Sequence, residues 1–269
     1  MRILVFDSGV GGLSVAREIG KALPGVGIDY VADLAVFPYG NLEPGVLIDR
    51  VVSLMDKALA VFDPAAMVIA CNTASTLVLP PLRARFKLPI VGTVPAVKPA
   101  AEHSCSRLVS VLATPGTVKR DYTRDLIDTF GGDCQFTLVG SKTLAGLAER
   151  SFAGESVGDA EFAAEIAPCF VEEGARRTDT VVLACTHYPL VLDRLQALAP
   201  WPVEWIDPAP AIARRVTTVT AGAGPSRDDG LPNRFFSTGR QPSSDMLSAF
   251  GFVDGGDLFA GNAAVSAIA

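Results

Sequence analysis

The sequence predicts an α/β fold of two similar halves, each a mostly parallel sheet flanked by helices. Three observations predict it. Short apolar runs alternate with helical patterns along the 269 residues, the signature of strands joined by crossover helices. The apolar share is 49% but aromatics are only 7%, so Ala, Val and Leu carry the core, a mix suited to helix-on-sheet packing. Two cysteines stand at matching places. Cys71 lies in Ala66-Met67-Val68-Ile69-Ala70-Cys71-Asn72-Thr73-Ala74-Ser75, and Cys185 in Thr180-Val181-Val182-Leu183-Ala184-Cys185-Thr186-His187-Tyr188-Pro189. Each reads as a buried strand ending in a thiol, followed by a helix start.

Strands are expected at 2–6, 28–32, 67–70, 90–92, 108–113, 135–139, 181–184, 203–206 and 234–237, with helical patterns after Leu13, Leu47, Thr76, Tyr122, Ala160 and Leu190. Pro80 and Pro81 are expected to end or redirect the segment after Cys71, because proline lacks the helix donor. Val5-Phe6-Asp7-Ser8-Gly9-Val10 resembles Leu112-Ala113-Thr114-Pro115-Gly116-Thr117 in position. Asp7 precedes Cys71 by 64 residues and Thr114 precedes Cys185 by 71, which suggests an internal duplication. The expected domains are residues 1–97 with 208–269, and residues 98–207, with 97–101 as a link. The stretch 221–233, rich in Gly, Pro, Ser and Asp, reads as a surface loop.

Lys and Arg number 23 against 29 Asp and Glu, a net charge of −6 without a basic tract, so neither nucleic acid nor an acidic membrane is an expected partner. The first apolar run is too short for a signal peptide, and no stretch is long enough to span a bilayer. Five cysteines without CxxC spacing suggest neither a disulfide framework nor a zinc site, and no metal is expected. Free thiols fit a reducing cytoplasm.

Asp7-Ser8-Gly9-Val10-Gly11-Gly12-Leu13-Ser14 is a glycine-rich turn leading into a helix, whose free amides suit an anion. Its spacing is neither GxGxxG nor a P-loop, so nucleotide binding is weakly supported against an ordinary βα turn. Asp7, at a strand end, can hold an ammonium group. A buried cysteine is often only a small hydrophobe. Two of them at equivalent strand ends, however, can place an acid and a base on opposite sides of one carbon, as stereo-inversion requires. Asn72, Thr73, Ser75 and Thr186 beside them are donors of the kind that bind a carboxylate. His187 can tune Cys185 or share a proton with it; the alternative is a packed histidine satisfied by backbone. Pro38-Tyr39-Gly40 forms a rigid turn whose amides can face a ligand. His103, Cys105, Cys134 and Cys169 lack such company and read as bystanders.

Phe6-Asp7-Ser8-Gly9-Val10-Gly11-Gly12-Leu13-Ser14-Val15, Phe37-Pro38-Tyr39-Gly40, Ala70-Cys71-Asn72-Thr73-Ala74-Ser75 and Cys185-Thr186-His187-Tyr188-Pro189-Leu190 resemble, in order, the signature blocks of the glutamate racemases. Gly92-Thr93-Val94-Pro95-Ala96-Val97-Lys98-Pro99-Ala100 and Phe236-Ser237-Thr238-Gly239 add to the match. The resemblance implies an isomerase that interconverts L- and D-glutamate without a cofactor and feeds peptidoglycan synthesis. It implies two pseudo-symmetric α/β domains with the active site in the cleft between them, and admits a homodimer. It also implies that Cys71 deprotonates D-glutamate and Cys185 L-glutamate, with Asp7 and His187 assisting. Ser8, Asn72, Thr73 and Thr186 match positions that hold the amino and α-carboxylate groups, and Pro38, Tyr39 and Gly40 the region of the side-chain carboxylate. Glu149, in Leu144-Ala145-Gly146-Leu147-Ala148-Glu149, resembles an acidic residue near the second base. The rivals are an aspartate or hydantoin racemase of the same superfamily, a Cys-His thiol hydrolase using Cys185 and His187, and a non-catalytic two-lobed amino-acid-binding module.

Overall fold

The computed structural model describes residues 1–222 and 230–258; part of the expected 221–233 loop and the end of the C-terminal tail lie outside the described residues. The strands are β1 (Arg2–Asp7), β2 (Gly27–Ala32), β3 (Ala66–Ile69), β4 (Ile90–Gly92), β5 (Leu108–Ala113), β6 (Gln135–Gly140), β7 (Glu172–Glu173), β8 (Arg176–Arg177), β9 (Thr180–Ala184), β10 (Glu204–Ile206), β11 (Asn233–Ser237) and β12 (Phe252–Gly256). The helices are α1 (Leu13–Ala22), α2 (Pro44–Val61), α3 (Asn72–Arg85), α4 (Val97–His103), α5 (Pro115–Val118), α6 (Asp121–Phe130), α7 (Leu144–Phe152), α8 (Asp159–Ile166), α9 (Leu192–Leu198), α10 (Ala209–Thr220) and α11 (Ser244–Ala249). The chain divides into two units, residues 1–93 with 209–269, and residues 94–208.

In the first unit the sheet runs β12-β11-β2-β1-β3-β4, every neighbouring pair parallel. Parallel strands are covered on both faces, which is why they read as continuous apolar runs. Leu4, Phe6, Met67 and Ile69 share one core with Leu47, Val51, Met55 of α2 and Val78, Leu82 of α3. The alternate residues Ile3, Val5 and Val68 are fully buried as well. Helices α1 and α10 pack together, and Leu13, Ala16 and Ile19 of the one and Ile212, Ala213 and Val216 of the other are buried. The late strand β11 is fastened to β2 by Asp29, which is buried between Arg2 (2.8 Å) and Arg234 (2.7 Å).

The second unit has a sheet of order β10-β9-β5-β6, again all parallel, and a small antiparallel hairpin of β7 and β8. Its order repeats part of the first sheet: β2-β1-β3-β4 corresponds to β6-β5-β9-β10. The suspected duplication is thus present as topology, with β3 and β9 as equivalent strands. The two cysteines follow those two strands.

Three expectations need correction. Helix α3 does not end at Pro80 and Pro81 but continues to Arg85. The missing amides fall late in the helix, and the buried side chains of Val78, Leu79 and Leu82 hold the last turns against the core. The stretch 97–101 is not an open link but the start of α4, whose Val97, Ala100 and Ala101 are buried. Cys185 is not followed at once by an α-helix. A turn and a 3-10 helix, Tyr188–Val191, intervene before α9. An α-helical start would need an amide from Pro189 to the Cys185 carbonyl; proline has none, and Tyr188 donates instead at 3.2 Å.

Candidate active site

In open parallel α/β sheets, ligands bind beyond the carboxyl ends of the strands. In the first unit those ends present Thr238 after β11, Asp33 after β2, Asp7 and Ser8 at β1, Cys71 and Asn72 after β3, and Thr93 after β4. All of these side chains are buried. Register alone sets Ser8 opposite Cys71, because Phe6 pairs with Ile69 two residues earlier. The Ser8 hydroxyl lies 3.6 Å from the Cys71 sulfur.

Cys71 is the N-cap of α3, and its sulfur accepts the amide of Ala74 at 3.5 Å. A donated amide at a helix N-terminus stabilises sulfur as thiolate over thiol. Asn72 and Thr73 open the first turn and are almost fully buried. Both polar atoms of the Asn72 amide lack a hydrogen-bond partner among the described residues. A buried amide without partners costs about 1–3 kcal/mol, so a ligand that supplied them would be favoured. Asp7 accepts the Gly12 amide at 2.6 Å, which folds the glycine-rich turn back over the strand end. A side chain at Gly12 would meet the Tyr30 hydroxyl at 2.7 Å and the Asp7 Cβ at 2.9 Å. Tyr30 in turn donates to the Gly9 carbonyl at 2.8 Å. The glycine is therefore needed for close approach.

Pro38-Tyr39-Gly40 forms a turn that opens the 3-10 segment Tyr39–Asn41, and the Phe37–Pro38 peptide is cis. Tyr39 does not point to solvent. It is buried in the core that includes Cys71 and donates to Asp33 at 2.5 Å. Burial, and then the charge of Asp33, pushes the Tyr39 phenol well above its usual value. Burial pushes Asp33 the other way from its net result: hydrogen bonds from Arg50, Thr238 and Tyr39 outweigh it and hold the carboxylate below its usual value.

In the second unit the strand ends present Cys185 after β9, Thr114 after β5 and Ser141 after β6. Cys185, Thr186 and His187 are consecutive and buried. His187 Nδ1 lies 3.9 Å from the Cys185 sulfur, and its Nε2 hydrogen-bonds Glu149 on α7. Burial alone would lower the His187 pKa; hydrogen bonds to Cys185 and Glu149 and the charge of Glu149 outweigh it and raise the pKa well above its usual value. Two of the ring's partners are therefore a thiol and a carboxylate.

The structure brings Ser8 to Cys71 in one unit, and Cys185, His187 and Glu149 together in the other. Of the residues set aside, Cys169 is buried, which pushes its thiol up to about 12, and His103 pairs with Glu204 at the surface. Sequence reasoning missed Asp33 and its partners Arg50 and Thr238. A usable signal was present, because Asp33 follows an apolar strand as Asp7 does.

The fold and these residues define a class first: a duplicated parallel α/β protein with a thiol after the same strand of each unit. The Asp/Glu/hydantoin racemase family matches residues 47–216. A curated glutamate racemase of Brucella ovis is 56% identical over 228 residues, covering 84% of this chain and 81% of that protein. The crystal structure of Escherichia coli glutamate racemase, in complex with L-glutamate and the activator UDP-MurNAc-Ala, superposes with a TM-score of 0.88 at 38% identity. It covers 95% of this chain and 97% of the other. A glutamate racemase isoform of Bacillus anthracis gives a TM-score of 0.75 at 28% identity, over 92% and 90% of the two chains. The chain belongs to the Asp/Glu/hydantoin racemase family.

Proposed function

We propose that this isomerase interconverts L- and D-glutamate by a two-base mechanism without a cofactor, one cysteine serving each face of the α-carbon. The glutamate specificity is supported by 56% identity to a curated glutamate racemase. The observation that carries the mechanism is the repeat itself: equivalent strands β3 and β9 are each followed by a buried cysteine with a hydrogen-bonding neighbour, Ser8 at 3.6 Å and His187 at 3.9 Å.

The α-proton of an amino acid is a poor acid, so the site must supply both the base and the stabilisation of the carbanion. In one direction a Cys71 thiolate removes the proton of D-glutamate while the Cys185 thiol returns one to the opposite face; the reverse reaction exchanges the roles. Each positioned proton-transfer group contributes about 10²–10⁴-fold. Ser8, Asn72, Thr73 and Thr186 hold the amino and α-carboxylate groups, and the donors among them to the carboxylate stabilise the enediolate charge that develops there. Asp7 holds the ammonium and assists the first base, and His187, oriented by Glu149, assists the second. Pro38, Tyr39 and Gly40 border the side-chain carboxylate. A cytoplasmic setting belongs to the same proposal, because both sulfurs must stay reduced. The D-glutamate formed supplies peptidoglycan synthesis.

Incubation with L-glutamate in D₂O, with no cofactor added, tests the reading. The expected D-glutamate carries deuterium at the α-carbon. Cys71→Ala and Cys185→Ala variants are expected to lose racemisation. Either variant interconverting the enantiomers at near the parent rate refutes the two-base assignment, and preference for aspartate over glutamate refutes the substrate.

A further inference from the structure

Asp33 is a fully buried carboxylate that accepts from four side-chain donors. Its Oδ2 accepts from the Tyr39 hydroxyl at 2.5 Å and Arg50 Nε at 3.0 Å; its Oδ1 accepts from the second Arg50 nitrogen at 2.7 Å and Thr238 Oγ1 at 2.5 Å. Four donors saturate the acceptor capacity of a carboxylate. Asp33 therefore has no lone pair left for a substrate, unlike a residue meant to bind an ammonium. The donors come from three separate places: the 3-10 turn at Tyr39, helix α2, and the residue after β11. Thr238 ties the segment twice more, accepting the Ala35 amide at 3.1 Å and donating its own to the Ala32 carbonyl at 2.9 Å.

We propose that Asp33, Arg50 and Thr238 form a clamp that positions Tyr39, and with it the Gly40 turn, for the side-chain carboxylate of glutamate. The inference rests on the proposed glutamate racemisation. Tyr39 is 1% exposed and its ring lies 6.3 Å from that of Phe6, in the core that also holds Cys71. Packing fixes the ring plane, but a ring can slide in its slot; tying its one polar atom fixes the slide. The backbone of Tyr39 and Gly40 is then set relative to the strand ends. A simple surface turn needs no desolvated carboxylate with a bidentate arginine. The arrangement is explained if the position of the turn must be held closely. Asp33, Arg50 and Thr238 are positioning residues in this account and touch no reacting atom.

The test is steady-state racemisation in both directions by the full chain. Thr238→Val removes a donor to a charged acceptor at nearly constant shape, and is expected to raise KM for both enantiomers about tenfold with kcat within about twofold of the parent. Thr238→Ser restores the hydroxyl and is expected to return KM to within about twofold of the parent. Tyr39→Phe is expected to raise KM similarly, and the double variant Tyr39→Phe with Thr238→Val to add little more, because both cut the same chain of contacts. An unchanged KM in Thr238→Val or Tyr39→Phe overturns the clamp. So does full additivity in the double variant, or a loss that follows only the folded fraction seen by circular dichroism. Should Thr238→Val fail to fold, the KM values of Tyr39→Phe and Thr238→Ser decide. A parent protein without glutamate turnover would instead defeat the functional reading, before any clamp variant is compared.

Discussion

His187 stands between two groups of opposite character, with Nδ1 3.9 Å from the Cys185 sulfur and Nε2 bonded to the Glu149 carboxylate. Glu149 is partly exposed while the imidazole is buried. A partly solvated carboxylate thus fixes the orientation and proton affinity of a ring that water does not reach.

Replacing that ring should therefore cost rate. His187→Asn is expected to lower turnover about 10²–10⁴-fold, the usual worth of one proton-transfer group. Mirror-image substrates have equal free energies, so kcat/KM must fall by the same factor in both directions even if the two kcat values do not. Polarimetry from each pure enantiomer checks this.

The raised pKa of His187 has a sign in stability. A histidine whose folded pKa exceeds its unfolded value of 6.5 contributes stability that is complete below about 6.5 and is lost as pH rises through the folded value. The difference in melting temperature between the parent and Glu149→Gln should be greatest near pH 6 and shrink toward alkaline pH. A difference independent of pH would show that the imidazole is not charged against Glu149.

Cys71 has a separable structural duty as the cap of α3. Serine is a strong N-cap and alanine a poor one, so Cys71→Ala should cost about 0.5–2 kcal/mol while Cys71→Ser should not. Both should lose racemisation. Urea unfolding beside activity separates the two effects, and an active Cys71→Ser would contradict a role for the sulfur.

Gly12→Ala should be damaging for a stated steric reason, the contact with the Tyr30 hydroxyl and Asp7 Cβ. Overpacking of this kind costs about 1–3 kcal/mol. Tyr30→Phe in the same chain should recover part of the loss, since it removes the atom at 2.7 Å. No recovery in denaturant unfolding would point to Asp7 as the obstacle.

Much of this was legible in the chain. The nine expected strands are present; those buried on both faces, such as β3 and β9, show as near-continuous apolar runs. Cys71 and Cys185 stood out for the same reason, each closing such a run. The prolines in α3 misled, since local propensity yields to the packing of Leu79 and Leu82. Strand β12, Phe252–Gly256, went unseen; three of its residues are Gly or Asp, and only Phe252 is deeply buried. Asp33 itself carried a signal, standing after an apolar strand, but its bond to Thr238 did not, because Thr238 lies 205 residues away and only the fold brings it there. Glu149 was found through family resemblance; its contact with His187, 38 residues on, needed coordinates.

The place of β11 also shapes how the molecule is made. Its pairing with β2 joins residues about two hundred positions apart, while the sheet of the second unit draws only on residues 108–206. As a nascent chain leaves the ribosome, the second unit can complete its sheet first. Until residues 233–238 emerge, β2 keeps an open edge and Asp33 waits without one of its partners. The segment translated first is therefore among the last to mature.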